Sequence, residues 1–345
     1  MAQAPHTPVL LERCVELLGH GVAAAEAEGT APVIVDATLG AGGHSAGILE
    51  AFPTVRLIGI DRDPNALEIA GERLAGYGER FQSFHATDDE MAAVLDRAGC
   101  ESVSGVLFDL GVSSMHLDED VRGFSYARSA PLDMRMDPGD ALTAAEVLNT
   151  YSEAELTRIL RDYGEERYAR KIARVIVADR EQTPWETSDQ LVAMLQRVIP
   201  QPAGQRQRSH PAKRTFQALR IEVNAELDIL RSALDQALTA VHTGGVVAVE
   251  SYQSLEDSIV KRAFRAGLES QAPADLPIVP PELQPWLAPL TRGAEKAPAA
   301  EIERNPRAAS VRLRAVQKTR QPCSRTHEHD HKPTAASQMK GDRSA

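Results

Sequence analysis

The chain has few cysteines and no long apolar run. Only three of its 345 residues are cysteine, at Cys14, Cys100 and Cys323, and none belongs to a Cys-x-x-Cys pair. This spacing predicts neither a zinc site nor a disulfide framework, and it is typical of a reducing compartment. No segment is apolar for long enough to span a bilayer, and the N-terminus lacks the pattern of a signal peptide. We therefore expect a cytoplasmic protein with no metal site and no membrane partner.

The chain also lacks an excess of positive charge. Its formal net charge is −11 at neutral pH, which argues against a general nucleic-acid binder, because such proteins carry a positive footprint. Two basic stretches stand out: residues 190–221 contain no acid, and a second stretch covers 304–320. Such runs are also found on ordinary solvated faces. If RNA is bound, its recognition should be local and depend on shape.

The most informative segment is a strand that leads into a glycine turn. The apolar run 32–36 is followed by Gly40 and Gly42, and a second apolar run, 55–60, ends on Asp61. A strand, a glycine turn and a helix form the nucleotide pocket of α/β sheets. An acid at the end of the next strand can accept hydrogen bonds from both ribose hydroxyls. The segment therefore predicts a site for a nucleotide-like ligand.

The spacing of the glycines argues against a dinucleotide. A pyrophosphate site requires Gly-x-Gly-x-x-Gly at the helix start, and Ser45 occupies the third glycine position. A ligand with adenosine but no phosphates fits better, and S-adenosylmethionine is the commonest of these. Its carboxylate would accept from free amides near Gly42, Gly43 and His44. The alternative is a tight turn without a ligand.

The order of strands and helices predicts an α/β protein with a helical insertion. Strands and helices alternate at first, the pattern then becomes helical throughout, and the alternation resumes afterwards. An insertion at the carboxyl ends of the strands would overhang the ligand crevice. We predict a discontinuous α/β domain over 1–115 and 210–320, an inserted helical domain over 116–209 and a disordered tail over 321–345.

Several local signals predict the bounds of individual elements. Ser152 with Glu155 predicts a capping box, and Ser188 predicts the cap of a following helix. Residues 213–241 read as one long helix, and residues 310–316 alternate apolar and polar side chains as an edge strand does.

Ten motifs resemble one family, the bacterial small-subunit ribosomal RNA methyltransferase H, also called MraW. They are His6–Leu11, Asp36–Gly40 with Gly42–Ser45, Ile60–Pro64, Asp109–Ser114, Arg122–Tyr126, Pro131–Asp137, Tyr163–Arg167, His210–Ala212 with Arg214–Ile221, Ser254–Asp257 and Asn305–Arg307. The resemblance implies a class I, Rossmann-like methyltransferase sheet. The implied reaction is methylation of the exocyclic N4 of one cytidine in the decoding region of 16S rRNA. The implied donor is S-adenosylmethionine, and the implied partner is rRNA within the small ribosomal subunit, with a homodimer left open.

The resemblance also implies ligand contacts for individual residues. For the donor these are Gly42, Gly43, His44, Asp61, Asp109 and position 116. The chain departs from the family at His116, where Gln is usual, and at Asp88, where Phe is frequent near the adenine. It has Tyr252-Gln253 where Phe-His is frequent, and Ser258 where Arg is frequent. His116 retains a hydrogen-bonding ring, and Asp88 can accept from the adenine amine.

The chemistry of this reaction assigns roles to further residues. The cytosine amine is a weak nucleophile, so the enzyme must align nitrogen, methyl carbon and sulfur. Asp109 follows the fourth strand, where amino-methyltransferases orient the amine, but the resemblance favours its binding the amino group of the donor. A flipped base is commonly held between flat side chains. The candidates for substrate contacts are Phe124, Tyr126 and Arg135 for the base, and Lys213, Arg214 and Arg220 for phosphates.

Each substrate assignment has a structural alternative. Phe124 and Tyr126 also suit core packing under the insertion, and Arg135 also suits a loop salt bridge with Asp133 or Asp137. Other functions remain open as well. A small-molecule or other RNA methyltransferase, a nicotinamide oxidoreductase, and a ribosome-assembly factor with an inactive methyltransferase fold share this fold. A zinc deaminase would need the His-x-Glu and Pro-Cys-x-x-Cys motifs, which the sequence lacks.

Overall fold

A seven-stranded sheet lies at the centre of the fold. The computed structural model describes residues 8–111, 120–200, 210–270, 272–273, 279–280 and 283–322. The strands are β1 (Val33–Asp36), β2 (Arg56–Asp61), β3 (Phe81–His85), β4 (Val103–Asp109), β5 (Val241–Ser251), β6 (Leu287–Pro289) and β7 (Arg312–Lys318). Their order is β3-β2-β1-β4-β5-β7-β6, and β1 to β5 pair in parallel, whereas β7 is antiparallel to both neighbours. The predicted Rossmann-like α/β class is confirmed.

Helices cover both faces of the sheet. They are α1 (Leu11–Ala27), α2 (Gly43–Ala51), α3 (Pro64–Leu74), α4 (Met91–Arg97), α10 (Glu226–Ala240), α11 (Ser254–Leu268) and α12 (Ala299–Arg304). Neighbouring strand residues point to opposite faces: Ile34 packs with α1, α2 and α3, whereas Val35 packs with α4, α10 and α11. Both residues are fully buried, which explains why the parallel strands are apolar throughout. None of the described helices combines the length and apolarity needed to cross a membrane.

Five helices that lie between β4 and β5 in the sequence form a second hydrophobic core. Its helices are α5 (Ala144–Thr150), α6 (Glu153–Asp162), α7 (Ala169–Arg180), α8 (Ser188–Val198) and α9 (Ala212–Asn224). The buried apolar side chains of these helices form one cluster, distinct from the two clusters on the sheet. The predicted limits of the helical insertion, 116 and 209, both lie outside the described residues, in 112–119 and 201–209, so these bounds stay a prediction.

The predicted long helix over 213–241 is wrong, because two helices meet at Ala225. This alanine has φ +50°, a left-handed conformation that ends α9 and begins α10. Alanine is the best helix former and gives no local signal for a break. The cause is tertiary packing: α9 buries most of its apolar face in the helical core, whereas α10 packs against the sheet.

Two capping predictions have different outcomes. The predicted box at Ser152 is confirmed, because its hydroxyl accepts from the Glu155 amide at 3.2 Å and the Glu155 carboxylate accepts from the Ser152 amide at 2.8 Å. The cap at Ser188 is wrong. Thr187 is the N-cap of α8, whereas Ser188 is buried and its hydroxyl bonds the backbone of Arg128 and Ala130.

Strand β7 is an inner strand, contrary to the edge position predicted for residues 310–316. The short strand β6 pairs along its outer side, so the alternating pattern of β7 comes from its two faces and not from an exposed edge. β7 ends on Lys318, which is only 1% exposed. Its Nζ donates to the carbonyl oxygens of Leu238, Thr239 and Val241 at 3.0, 3.2 and 2.9 Å. The ammonium thereby caps the carboxyl end of α10.

Replacing Lys318 with methionine is expected to lower the free energy of unfolding by about 2–3 kcal/mol, because it leaves buried carbonyls without a charged donor. Urea unfolding followed by circular dichroism measures this change. Lys261→Met, at an exposed position of α11, is the matched control and should change stability little. Equal effects of the two variants would contradict the capping role.

Candidate functional site

A cavity of about 540 Å³ opens at the carboxyl ends of the parallel strands. Its walls come from β1, β2, β4 and β5 on one side and from α9 and α10 on the other. The residues predicted from sequence that line it are Gly43, His44, Asp61, Asp88, Asp109, Lys213 and Arg220. The tertiary structure therefore brings together most of the predicted donor residues, which are spread over β1 to β4 in the sequence.

The glycine turn forms the floor beside β1. Gly40 and Gly42 have φ +51° and +72°, which favour glycine. Gly40 lines the cavity, whereas Gly42 faces α3: a Cβ on Gly42 would lie 3.1 Å from the Leu74 side chain. Gly42 therefore belongs to the turn on the side that faces α3 and not the cavity. Gly43, the first residue of α2, lines the cavity.

Ser45 replaces the third glycine of a dinucleotide site, and the structure gives it another task. Its hydroxyl donates to the Asp36 carboxylate at 2.6 Å, and the Thr38 amide contacts the other oxygen of Asp36 at 3.4 Å. Asp36 is buried, so this pair ties the end of β1 to the first turn of α2. These hydrogen bonds of the Ser45 and Asp36 side chains hold the turn in place. In a dinucleotide site, a third glycine instead lets the helix approach the strand closely.

Asp61 holds a defined orientation at the cavity edge. One carboxylate oxygen accepts from the Gly40 amide at 2.7 Å, and the other accepts from the Asp63 amide at 2.9 Å. These bonds join the end of β2 to the glycine turn. The Asp61 carboxylate therefore lies at the edge of the cavity, where the sequence predicts that it accepts hydrogen bonds from ribose hydroxyls.

Asp88 lines the cavity next to Asp61, after β3. Burial and the negative charge of Asp61 raise the pKa of Asp88 to about 7. A carboxyl with a pKa near 7 is partly protonated at pH 7, and its protonated form can donate a hydrogen bond as well as accept one. This versatility suits the edge of an adenine, which carries an amine donor and a ring acceptor.

The raised pKa of Asp88 makes stability depend on pH. The folded carboxyl binds its proton more tightly than the unfolded one, so this contribution is present at low pH and is lost as the pH rises through about 7. Ionisation would cost up to about 4 kcal/mol, and partial solvent contact reduces this to about 2 kcal/mol. Because the unfolded carboxyl ionises at about pH 4, part of this contribution is already lost at pH 5. We therefore expect the stability gain of Asp88→Asn over the parent to be larger near pH 8 than near pH 5.

Urea unfolding of parent and variant at both pH values checks the effect of Asp88. Asp96→Asn, on the exposed face of α4, serves as the control and should show no such pH-dependent gain. A stability difference between Asp88→Asn and the parent that is the same at both pH values would refute a buried ionisation at this position.

Asp109 is the centre of a hydrogen-bonded group at the end of β4. Its Oδ1 accepts from the Tyr252 hydroxyl at 2.7 Å, and its Oδ2 lies 3.5 Å from Nδ1 of His44. The Asp109 amide donates to the Thr38 hydroxyl at 2.6 Å. Burial and the charge of Asp109 raise the pKa of Tyr252, so its hydroxyl stays a donor. Asp109 is therefore an oriented acceptor facing the cavity.

The three residues predicted to hold the base lie away from the cavity lining. Phe124 is 7% exposed and packs in the helical core, in agreement with its structural alternative. Tyr126 stacks on His210 at 4.7 Å between ring centroids and meets Phe216 edge-on. Arg135 forms a bidentate pair with Asp133, at 2.9 and 2.7 Å, so it braces its own loop.

The three predicted phosphate contacts differ in their surroundings. Lys213 is exposed at the cavity rim, and Arg214 is exposed but not part of the lining. Arg220 is largely buried and forms a bidentate pair with Glu226, at 2.7 and 2.8 Å. The guanidinium of Arg220 thus links α9 to α10 across the Ala225 turn. His116, the last predicted donor contact, lies in 112–119, outside the described residues.

The sequence model of the MraW methylase family matches residues 3–319. The chain belongs to this family. A ribosomal RNA small subunit methyltransferase H of Mycolicibacterium smegmatis is 57% identical, over 91% of this chain and 84% of its own length. The protein of that name from a Nocardioides species is 56% identical, over 92% of this chain and 98% of its own length.

Solved structures show only a distant likeness. An rRNA methylase from Streptococcus thermophilus aligns with 93% of this chain and 99% of its own, at 11% identity and a TM-score of 0.40. A likeness of this size carries no functional argument. The family resemblance predicted from the motifs is confirmed by the MraW model and by the close relatives.

Several MraW motifs join the helical core to the sheet. Arg122 donates to the Asp63 carboxylate at 3.0 Å and to the carbonyl oxygen of Met136 at 2.7 Å. Asn224 accepts from the Met136 amide at 2.8 Å, and its own carbonyl oxygen accepts from Arg62, also at 2.8 Å. Met136 lines the cavity, so these buried bonds set the position of the cavity wall that faces the sheet.

Sequence reasoning did not single out Glu250 or Cys14, which meet behind the cavity wall, and treated Tyr252 only as a departure from the family. Tyr252 contacts Asp109, and Glu250 lies beside Asp109 in the register of β4 and β5. The signal for both was available, because they stand at the carboxyl end of a predicted parallel strand, where ligands bind. Cys14 lies in a helix far from any motif strand and had no such signal.

Proposed function

We propose that this MraW-family chain is a methyltransferase of small-subunit ribosomal RNA that uses S-adenosylmethionine as donor. The observation that carries the proposal is the convergence of the glycine turn, Asp61, Asp88 and Asp109 on one cavity. Asp61 would accept from the ribose hydroxyls, Asp88 would bind the adenine edge, and the first turn of α2 would face the carboxylate. The names of the close relatives support the rRNA substrate.

The proposed target is the exocyclic N4 of a specific cytidine in the decoding region of 16S rRNA. Its lone pair is delocalised into the ring, so the reaction depends on alignment of the amine with the electrophilic methyl group. The base would leave its stack and enter the cavity, since a stacked base cannot reach the donor. The cytosine nitrogen would attack the methyl carbon in line as the carbon–sulfur bond breaks, which would leave the donor as a neutral thioether, and the amine would release one proton to solvent.

Asp109 would act at the boundary between the two substrates. Its carboxylate is oriented by Tyr252 and lies beside His44, so it can accept from the amino group of the donor. The same acceptor would stabilise positive charge that develops near it during transfer. We take donor binding as its main role and orientation of the cytosine amine as the second.

The rim of the cavity would meet the RNA backbone. Lys213 lines the cavity and is exposed, and Arg214 is exposed next to it on α9. These cations suit phosphate contacts, which position a nucleic acid without reading its sequence. The net charge of −11 favours a substrate presented by a structured particle over free RNA, because a long electrostatic track is not available.

Methyl incorporation tests this function. Purified small ribosomal subunits and free 16S rRNA, both prepared from cells that lack the enzyme, are incubated with labelled donor, and nucleosides are identified by mass spectrometry. We expect N4-methylated cytidine at one position, formed faster on the subunits. Labelling of another nucleoside, or only of small molecules, would instead support the alternative substrates. Asp61→Ala serves as the control for labelling that does not require the donor site.

A further inference from the structure

A second group of potential ligands lies directly beneath the cavity floor. Cys14 of α1, His44 of α2 and Glu250 of β5 meet there, and each is 5% exposed or less. One ligand atom from each residue lies within 4.8 Å of the other two. A thiol, an imidazole and a carboxylate are the three kinds of side chain that bind zinc.

Two distances in this group are close to the edges of a tetrahedral zinc site, although each runs to a different oxygen of Glu250. The Cys14 Sγ is 3.5 Å from Oε1 of Glu250, and the His44 Nε2 is 3.6 Å from Oε2 of the same carboxylate. Zinc bonds of about 2.3 Å to sulfur and about 2.0–2.2 Å to nitrogen or oxygen give tetrahedral edges of about 3.3–3.6 Å. A bound ion would draw one ligand atom from each residue closer together, from the present separations of up to 4.8 Å.

The electrostatics of the group also favour a cation. Oε2 of Glu250 is buried and has no hydrogen-bond partner among the described residues. A buried carboxylate without compensation is costly, and a metal ion is one of the usual means of compensation. The group therefore presents a buried carboxylate oxygen that a cation would satisfy.

The surroundings of His44 complete the arrangement. Its Nδ1 faces Asp109 at 3.5 Å, and the Tyr252 hydroxyl holds that carboxylate. Metal-binding histidines commonly pair their other ring nitrogen with a carboxylate in this way. The Nε2 contacts the carbonyl oxygen of Val9 at 2.9 Å, and a metal would replace that contact. His44 and Val9 both line the cavity, which provides a route of entry.

We propose that Cys14, His44 and Glu250 bind one divalent ion of the zinc class beneath the cavity, with a water molecule as the fourth ligand. Binding forms one metal–sulfur, one metal–nitrogen and one metal–oxygen bond. The Cys14 thiol loses its proton to solvent, as does Glu250 where it is protonated. The proton on Nε2 of His44 is released and Nδ1, which faces Asp109, carries the ring proton instead. No electron is transferred. The proposal does not depend on which molecule accepts the methyl group, because Cys14, His44 and Glu250 lie on the sheet side of the cavity.

Metal titration of the full chain tests the proposal. The protein is treated with a chelator, dialysed and titrated with Zn²⁺ by calorimetry and with Co²⁺ by absorption spectroscopy. We expect one equivalent of metal to bind and a thiolate-to-cobalt charge-transfer band to appear. Cys14→Ser should abolish that band and weaken Zn²⁺ binding at least about tenfold. Cys100→Ser, at a cysteine outside the group, should leave both unchanged.

Two further measurements keep the test decisive. Glu250→Gln retains the shape of the side chain and should also weaken Zn²⁺ binding, and near-ultraviolet circular dichroism checks that each variant is folded. X-ray absorption at the zinc edge should show one sulfur neighbour. Absence of stoichiometric binding, or binding without sulfur and unaffected by Cys14→Ser, would mean that the group is a hydrogen-bonded cluster only, and would overturn the proposal.

Discussion

Replacing Asp61 with alanine is expected to weaken binding of S-adenosylmethionine by about 100-fold, which corresponds to about 2.7 kcal/mol. Two hydrogen bonds from ribose hydroxyls to a carboxylate supply a loss of this size, since each contributes about 1.5–3 kcal/mol. The variant also releases the amides of Gly40 and Asp63 from their acceptor, which loosens the turn. Calorimetric titration with the donor measures the change in affinity.

The control for this prediction is Glu68→Ala. Glu68 lies on α3, the helix that follows β2 and Asp61 in the sequence, and it is exposed to solvent. It should bind the donor as tightly as the parent does. Parent-like affinity in Asp61→Ala, with the fold intact by circular dichroism, would show that the donor binds elsewhere and would remove the basis of the proposed function.

Replacing Asp109 with alanine is expected to lower kcat/KM for methyl transfer by about 10²–10³-fold, the usual effect of removing one preorganised polar group from a reacting centre. The side chain is oriented by Tyr252 and faces the cavity beside His44, so its removal takes an oriented acceptor out of the cavity. Methyl incorporation into small ribosomal subunits at varied donor concentration gives kcat and KM separately.

The two roles of Asp109 have different kinetic signatures. If it binds the amino group of the donor, the loss falls mainly on the KM for the donor. If it orients the cytosine amine, the loss falls mainly on kcat. Tyr252→Phe removes only the bond that orients Asp109 and should cost no more than about tenfold. A variant at Asp109 with parent kinetics would exclude both roles.

The parallel strands and the donor side of the cavity were predictable from local sequence. The run up to Asp36, the glycine turn and the acid at the end of β2 each belong to a short segment whose chemistry is local. Parallel strands place their carboxyl ends on one edge, so Asp61, Asp88 and Asp109 were expected to meet there, and they do. The capping box at Ser152 was predictable for the same reason, because its partners are three residues apart.

The substrate side was harder to predict, because its residues act through contacts distant in sequence. Arg220 looked like a phosphate ligand, but the turn at Ala225 brings Glu226 against it. Arg135 also looked like a substrate contact, but its Nε and Nη2 both donate to the Asp133 carboxylate. A basic residue is available to RNA only where folding leaves it without such a partner, and sequence spacing does not contain that information.

The amino-acid order alone determined the family, the α/β class and the identity of the acids around the cavity. Apolar periodicity and turn chemistry are properties of neighbouring residues, and these decide which elements form. The tertiary structure alone decided the break at Ala225, the inner position of β7 and the meeting of Cys14, His44 and Glu250. These features depend on packing between segments up to 236 residues apart, where buried groups acquire partners that no local pattern specifies.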